Sequence, residues 1–235
     1  MPLSKLINRK DISDDLMVIR ISKPESGFTY KPGQFCTLGL DGVERPYSIA
    51  SGPYESELEI IIELVPNGAL TPKLWRLREN DWMSIRPSAK GLFLLDEKVH
   101  HHFMLATVTG VAPFVSMIRQ HLHDQAKGHF FYILLGASYS YELTYDTELA
   151  RMHANYPDTI QFISTVSRPA EKINGEWTGQ TGRVNEICQS YLAKFQLPPD
   201  NTRIYACGHP EMISDLKSKG LADSWLFTEE RFWRS

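Results

Sequence analysis

Four consecutive residues, Arg45-Pro46-Tyr47-Ser48, bring together a cation, a ring-locked residue, an aromatic and a hydroxyl. In an extended segment alternate side chains share a face, so Arg45 and Tyr47 point one way and Pro46 and Ser48 the other. An arginine offers a planar fork for a phosphate. A tyrosine offers a flat face for a planar ring, with a hydroxyl at its rim. A serine can bond a ring nitrogen or a nearby backbone group. By itself the tetrapeptide also suits an ordinary edge strand with a surface Arg and a half-buried Tyr.

Other stretches carry similar chemistry. Asn67-Gly68-Ala69-Leu70-Thr71 reads as a turn that opens a short helix over residues 71–77, with Thr71 as cap and Pro72 in its first turn. Such a start favours an anion, and with Arg45 it makes two contacts for a diphosphate. A plain capped turn is the simpler alternative. Thr109-Gly110-Val111-Ala112-Pro113 follows an apolar strand over residues 102–108 and precedes helical spacing. Gly110 is expected to permit close backbone approach, and the helix beginning near Pro113 to offer its positive end to a pyrophosphate. The G-x-G-x-x-G fingerprint is absent. Ser167-Arg168 and Thr181-Gly182-Arg183 place guanidinium groups after further elements, where they suit a phosphate or simply the surface.

These residues need elements to hold them. Residues 17–21, 35–40, 47–50, 58–65 and 82–86 are strand-like and separated by Gly, Pro, Asn and Asp, with a polar turn at residues 41–44. That spacing predicts an antiparallel barrel or sandwich. Beyond residue 96 the pattern alternates. Strands are expected at 102–108, 130–135, 159–166 and 202–207, and helices near 113, at 142–152, at 184–192 and at 210–219. Alternation of this kind predicts a parallel sheet covered on both faces, with ligands at the carboxyl ends of its strands. The boundary is expected at residues 96–97, giving domains of 1–96 and 97–235. His100-His101-His102 is read as an exposed linker between them, because successive histidines on an extended segment rarely converge on one metal ion.

Composition narrows the class. At 235 residues the chain suits two domains of about 100–150. A formal charge of −3 argues against a nucleic-acid binder. No run reaches the roughly 18–20 apolar residues of a membrane span, and the N-terminus lacks an apolar signal core. Three cysteines without a C-x-x-C cannot form a zinc ribbon, a dithiol motif or a four-thiolate iron–sulfur centre. Reduced thiols in the cytoplasm are expected. The cations Lys73, Arg76, Arg78, Arg86 and Lys90 suit a solvated face or a docking patch for an acidic partner.

The order of these motifs resembles the bacterial type of the ferredoxin/flavodoxin–NADP reductase family. The resemblance runs over nearly the whole chain and includes Cys207-Gly208-His209-Pro210-Glu211-Met212 and Phe232-Trp233. It implies a FAD-binding barrel followed by an NADP-binding domain, with hydride transfer at flavin N5 and electrons passed to ferredoxin or flavodoxin. FAD would be held by Arg45, Pro46, Tyr47, Ser48, Glu63, Leu64, Val65, Gly68, Ala69, Leu70, Thr71 and Thr109, and covered by the terminal Phe232 and Trp233. NADP would be held by Thr109, Gly110, Val111, Ala112, Pro113, Ala137, Ser138, Ser167, Arg168, Arg183, Cys207, Gly208, Pro210 and Met212. Ser48, Tyr47 and Cys207 would stand at the reacting rings. Two departures are notable. Val108 stands where the family has a glycine, and Ser138 where it commonly has a third arginine, for which Lys172 is the candidate substitute. A monomer without metal is expected. The alternatives are an NADH-linked reductase component of an oxygenase, a free-flavin reductase and a non-catalytic nucleotide-sensing subunit.

Overall fold

The computed structural model describes residues 1–25 and 27–231. The chain divides into two compact units, Met1–Leu95 with Ala112–Gln125 and Asp96–Val111 with Ala126–Ser235.

The first unit is an antiparallel sheet of six strands: β1 Leu3–Asp11, β2 Leu16–Ser22, β3 Phe35–Leu40, β4 Val43–Ser48, β5 Glu57–Glu63 and β6 Trp82–Ile85. Their order is β4-β3-β6-β1-β2-β5. A bridge from Ile49, just past β4, to Ile60 of β5 joins the two ends and closes the barrel. Bringing the end strands together shields part of their edges, which is how small antiparallel sheets limit association. Its interior is aliphatic, with Leu6, Ile19, Ile21, Leu38, Leu58, Ile60 and Ile62 almost wholly buried. One short helix, α1 Thr71–Leu74, is anchored to this core by Leu70 and Leu74. The polar turn is shorter than its composition suggests, because β4 already begins at Val43.

Helix α2, Ala112–His123, belongs to this unit. Ser116 donates to the Ser51 carbonyl at 2.7 Å. Arg119 pairs with Glu59 at 2.9 Å and Glu55 at 3.3 Å, and its side chain is nearly buried. Phe93 packs against Phe114, ring centres 5.7 Å apart.

The second unit is a parallel sheet of β7 His101–Thr107, β8 Phe130–Ala137, β9 Ile160–Val166, β10 Gln180–Thr181, β11 Thr202–Gly208 and β12 Leu226–Arg231. The order is β10-β9-β8-β7-β11-β12, and every pairing is parallel. Between the strands run α3 Asp146–Asn155, α4 Val184–Lys194, α5 Pro210–Ser218 and α6 Leu221–Ser224. Phe103 and Leu105 of β7 share a core with Ile204 and Ala206 of β11, Cys188 of α4 and Ile213 of α5.

The histidine triplet is not an exposed linker. His101 and His102 lie in β7, and His102 is fully buried, its Nε2 2.9 Å from Nδ1 of His129. Among the described residues no helix is long and apolar enough to cross a membrane.

Candidate functional site

In the barrel unit, β4 carries the tetrapeptide. The ladder sets Arg45 opposite Leu38, Pro46 opposite Thr37, Tyr47 opposite Cys36 and Ser48 opposite Phe35. Arg45 and Tyr47 therefore share one face and Pro46 and Ser48 the other. Tyr47 packs on the barrel core, and burial pushes its phenol above the ordinary range. The Arg45 guanidinium is exposed, donates to the Glu44 carbonyl at 2.7 Å and meets no carboxylate among the described residues. Ser48 is nearly buried, and its hydroxyl makes no hydrogen bond among the described residues. The β3–β4 turn reaches α1 through an ion pair, Lys73 to Asp41 at 3.2 Å.

Thr71 is not the helix cap. Leu70 occupies that position without a side-chain bond, and α1 ends at Leu74 rather than residue 77. The Thr71 hydroxyl instead accepts from the Val65 N–H at 3.0 Å and donates to the Val65 carbonyl at 3.2 Å. Gly68 lies beneath that bond, where a Cβ would press on the Val65 carbonyl and on Thr71 Oγ1. The amides of Leu64 and Val65 are committed, to Asp15 and Thr71, which leaves Glu63-Leu64-Val65 fewer backbone donors for a ligand than expected. The amides of Ala69, Leu70 and Thr71 donate to no carbonyl among the described residues. Together with Arg45 they form a donor set suited to a diphosphate. A flavin dinucleotide fits these residues in chemistry, although a one-turn helix adds little dipole.

In the sheet unit, β7 ends in a 3-10 turn, Val108–Val111, that runs directly into Ala112 and Pro113. Thr109 is partly exposed there, whereas Gly110, Val111, Ala112 and Pro113 are buried. Gly110 is needed for a different contact from the one expected. A Cβ on it would overlap the Cys207 carbonyl, so its bare backbone admits a neighbouring strand end rather than a ligand. Gly208, at φ 126°, is held equally close to Thr107, whose hydroxyl accepts from the His209 N–H at 2.8 Å. Cys207 is fully buried, and burial together with the Glu230 carboxylate raises its thiol well above the usual range. It is a packing thiol rather than a nucleophile. Met212 faces the apolar core of α5 and the sheet, and Pro210 is buried beside it. Neither presents an open surface to a ligand.

The adenosine end should lie beyond β8, β9 and β10. Ser167 donates its N–H to Ala137 at 2.9 Å, joining the ends of β8 and β9. Thr181 pairs with Val166 in the β10–β9 ladder, and Arg183 and Arg168 each follow two residues beyond that pair. Gly182 makes this turn possible with φ 109°. Arg183 is exposed and unpaired among the described residues. Arg168 is not free: it meets Glu171 at 3.4 Å and the Tyr139 hydroxyl at 2.9 Å. The amides of Ser138 and Tyr139 both donate to Glu142.

Three residues with clear chemistry were missed in the sequence. Tyr139 and Glu171 surround Arg168. Glu230, paired with Cys207 across β11 and β12, has one carboxylate oxygen buried without a partner among the described residues. Burial raises its pKa to about 7. A period-two reading of residues 226–231 would have set Glu230 on one face with Thr228. Phe232 and Trp233 lie outside the described residues.

Comparisons with known proteins agree with this arrangement. A family model described as an oxidoreductase FAD-binding domain matches residues 3–93, and one described as an oxidoreductase NAD-binding domain matches residues 104–218. The ferredoxin–NADP reductase of Pseudomonas aeruginosa is 30% identical over 204 residues, 80% of this chain and 77% of that protein. The flavodoxin/ferredoxin–NADP reductase of Escherichia coli is 29% identical over 218 residues, 90% and 86% of the two chains. A ferredoxin NADP+ reductase from Neisseria gonorrhoeae, solved with bound FAD and NADP, shares the fold at a TM-score of 0.84, with 24% identity over 98% of each chain. By its barrel, its parallel sheet and these likenesses, the chain belongs to the ferredoxin–NADP reductase family.

Proposed function

We propose that the protein is a FAD-dependent oxidoreductase moving electrons between NADPH and a ferredoxin or flavodoxin. The observation that carries this reading is the pairing, in one chain, of a barrel that presents on the face of Tyr47 an Arg45 meeting no carboxylate among the described residues with a sheet whose turn brings Thr107, Gly110, Cys207 and Gly208 together. The relatives named above support the choice of electron carriers.

When bound, a flavin supplies the chemistry of exchanging a two-electron hydride for single electrons. The chain supplies position. Arg45 and the amides of Ala69, Leu70 and Thr71 hold the diphosphate. Tyr47 offers its ring face, and the Ser48 hydroxyl donates to a ring nitrogen. Cys207, fully buried, supports from beneath the turn at the carboxyl end of the sheet against which the nicotinamide would lie. Thr109, Ala137, Ser138, Ser167, Arg168 and Arg183 serve the pyridine nucleotide. Of the cationic patch, Lys73 and Arg86 are paired with Asp41 and Glu44, so Arg76, Arg78 and Lys90, which form no ion pair among the described residues, are left to steer an acidic carrier. We place this activity in a cytoplasmic monomer.

A visible spectrum followed by anaerobic titration with NADPH tests the proposal. Flavin bands that bleach with one equivalent of NADPH are expected. A colourless protein that takes up no FAD overturns it. Ser48→Ala is expected to keep FAD and lose roughly 10²-fold or more in the rate of flavin reduction, within the span of a positioned hydrogen bond in catalysis. An unchanged single-turnover rate removes Ser48 from the mechanism.

A further inference from the structure

Beyond the ends of β8 and β9 lies a cluster that the proposed function leaves unexplained. Asn174, almost fully buried, accepts from the Ser140 N–H at 2.9 Å and donates to the carbonyls of Ser138 and Arg168, each at 3.0 Å. One side chain thus ties two loops together and fixes where Arg168 stands. The Arg168 guanidinium lies over the Tyr139 ring, 5.5 Å from its centre, and donates to the Tyr139 hydroxyl at 2.9 Å. That hydroxyl donates to Glu171 Oε2 at 2.8 Å, while Glu171 Oε1 is 3.4 Å from Arg168. The carboxylate therefore takes both donors at once. A phosphate monoester carries the same kind of oxygens and would take the same two partners. The amides that could have served it at the end of β8 are already given to Glu142.

We infer that Glu171 tunes the choice between NADPH and NADH, by occupying the Arg168 guanidinium and Tyr139 hydroxyl that a 2′-phosphate would otherwise claim. This rests on the reading of the protein as a pyridine-nucleotide-dependent reductase. A 2′-phosphate must displace the carboxylate and stay near its charge, with Arg168, Arg183 and Lys172 attracting it. A nucleotide with a free 2′-hydroxyl displaces nothing. Arg168 and Glu171 are both about half exposed, so their pairing is weak and displacement is cheap. Glu171 thus narrows the preference for the phosphorylated cofactor without abolishing it.

Two measurements on the full-length, FAD-loaded protein test this. The first is calorimetric binding of adenosine 2′,5′-bisphosphate and of 5′-AMP, which needs no turnover. The second is kcat and KM for NADPH and NADH with ferricyanide as acceptor. Glu171→Gln is expected to tighten bisphosphate binding about 1.5–5-fold, the range open to an exposed charge pair, and to leave 5′-AMP unchanged. The NADPH/NADH ratio of kcat/KM should rise by a similar factor through KM alone. Arg168→Ala is expected to narrow the difference between the two nucleotides, leaving what Arg183 and Lys172 contribute. Flavin reduction by NADPH with neither ratio altered by Glu171→Gln overturns the inference and leaves the proposed function standing. Binding of neither nucleotide by the parent protein, with no reduction by NADPH, overturns both.

Discussion

Val108 shows what one residue costs. It sits at φ 44°, in the left-handed region, and is β-branched. That conformation costs an L-residue about 1–2 kcal/mol. Glycine at the same position returns about 0.5–1 kcal/mol in unfolded-chain entropy. Val108→Gly is therefore expected to raise stability by up to about 1 kcal/mol, read as a higher urea midpoint; a lower midpoint refutes the strain. Glu230 acts through pH. Burial raises its pKa from the usual 4.5 to about 7. Between those values the unfolded chain ionises first, so the folded state loses stability as pH rises through the window and no more above it. The full loss is roughly 3 kcal/mol by linkage. Subtracting the pH profile of Glu230→Gln from that of the parent isolates this contribution. A difference profile that is flat between pH 4.5 and 7.5 contradicts the buried carboxyl.

At the scale of elements, legibility followed apolar alternation. The strand over residues 35–40 matches β3 end to end, and β2, β5 and β6 fall within two residues of their expected limits. β1 escaped notice because its inward positions are Ser4 and Leu6. Ser4 is fully buried and donates to the Ser22 carbonyl at 2.8 Å, so a polar residue does a core residue's work and breaks the pattern. β12 was hidden in the same way by Thr228, Glu229 and Glu230. The histidine triplet looked polar, yet His102 satisfies itself against His129 inside the sheet unit. At the candidate site, Arg45, Tyr47, Arg168 and Arg183 were legible from type and spacing. Glu171 was not, because its meeting with Arg168 depends on how Asn174 folds the loop between them. Helix α2 is the element whose allegiance no sequence pattern reveals, since its ties, polar and aromatic alike, are long-range. Arg119→Ala removes its link to Glu59 and Glu55 but leaves Glu59 paired with Arg20 at 2.6 Å. A loss of about 1–3 kcal/mol is expected, below the roughly 3–5 kcal/mol for stranding a buried charge. An unchanged urea midpoint shows that α2 is held otherwise.

At the scale of the whole molecule, the two units are not consecutive in the chain. Residues 96–111 belong to the sheet unit, and residues 112–125 return to the barrel unit. No single cut can therefore release one unit intact. The exposed loop around Lys127 makes this testable, since residues 123–128 are all exposed and lie outside any strand or helix after His123. Trypsin acting after Lys127 leaves one piece with β1 to β7 and α2, and another with β8 to β12. Strand β7 stands between β8 and β11 in the sheet, so the second piece lacks the strand that joins its two halves. Its core residues Leu134, Ile204 and Ala206 pack with Phe103 and Leu105 of the first piece. The burial of those two side chains alone is worth several kcal/mol, at about 1.5–3 kcal/mol each. The nicked protein is expected to elute from gel filtration as one species at the mass of the uncut chain, and to separate only in denaturant. Recovery of two folded pieces in native buffer contradicts the division, because each piece would then hold a complete core of its own.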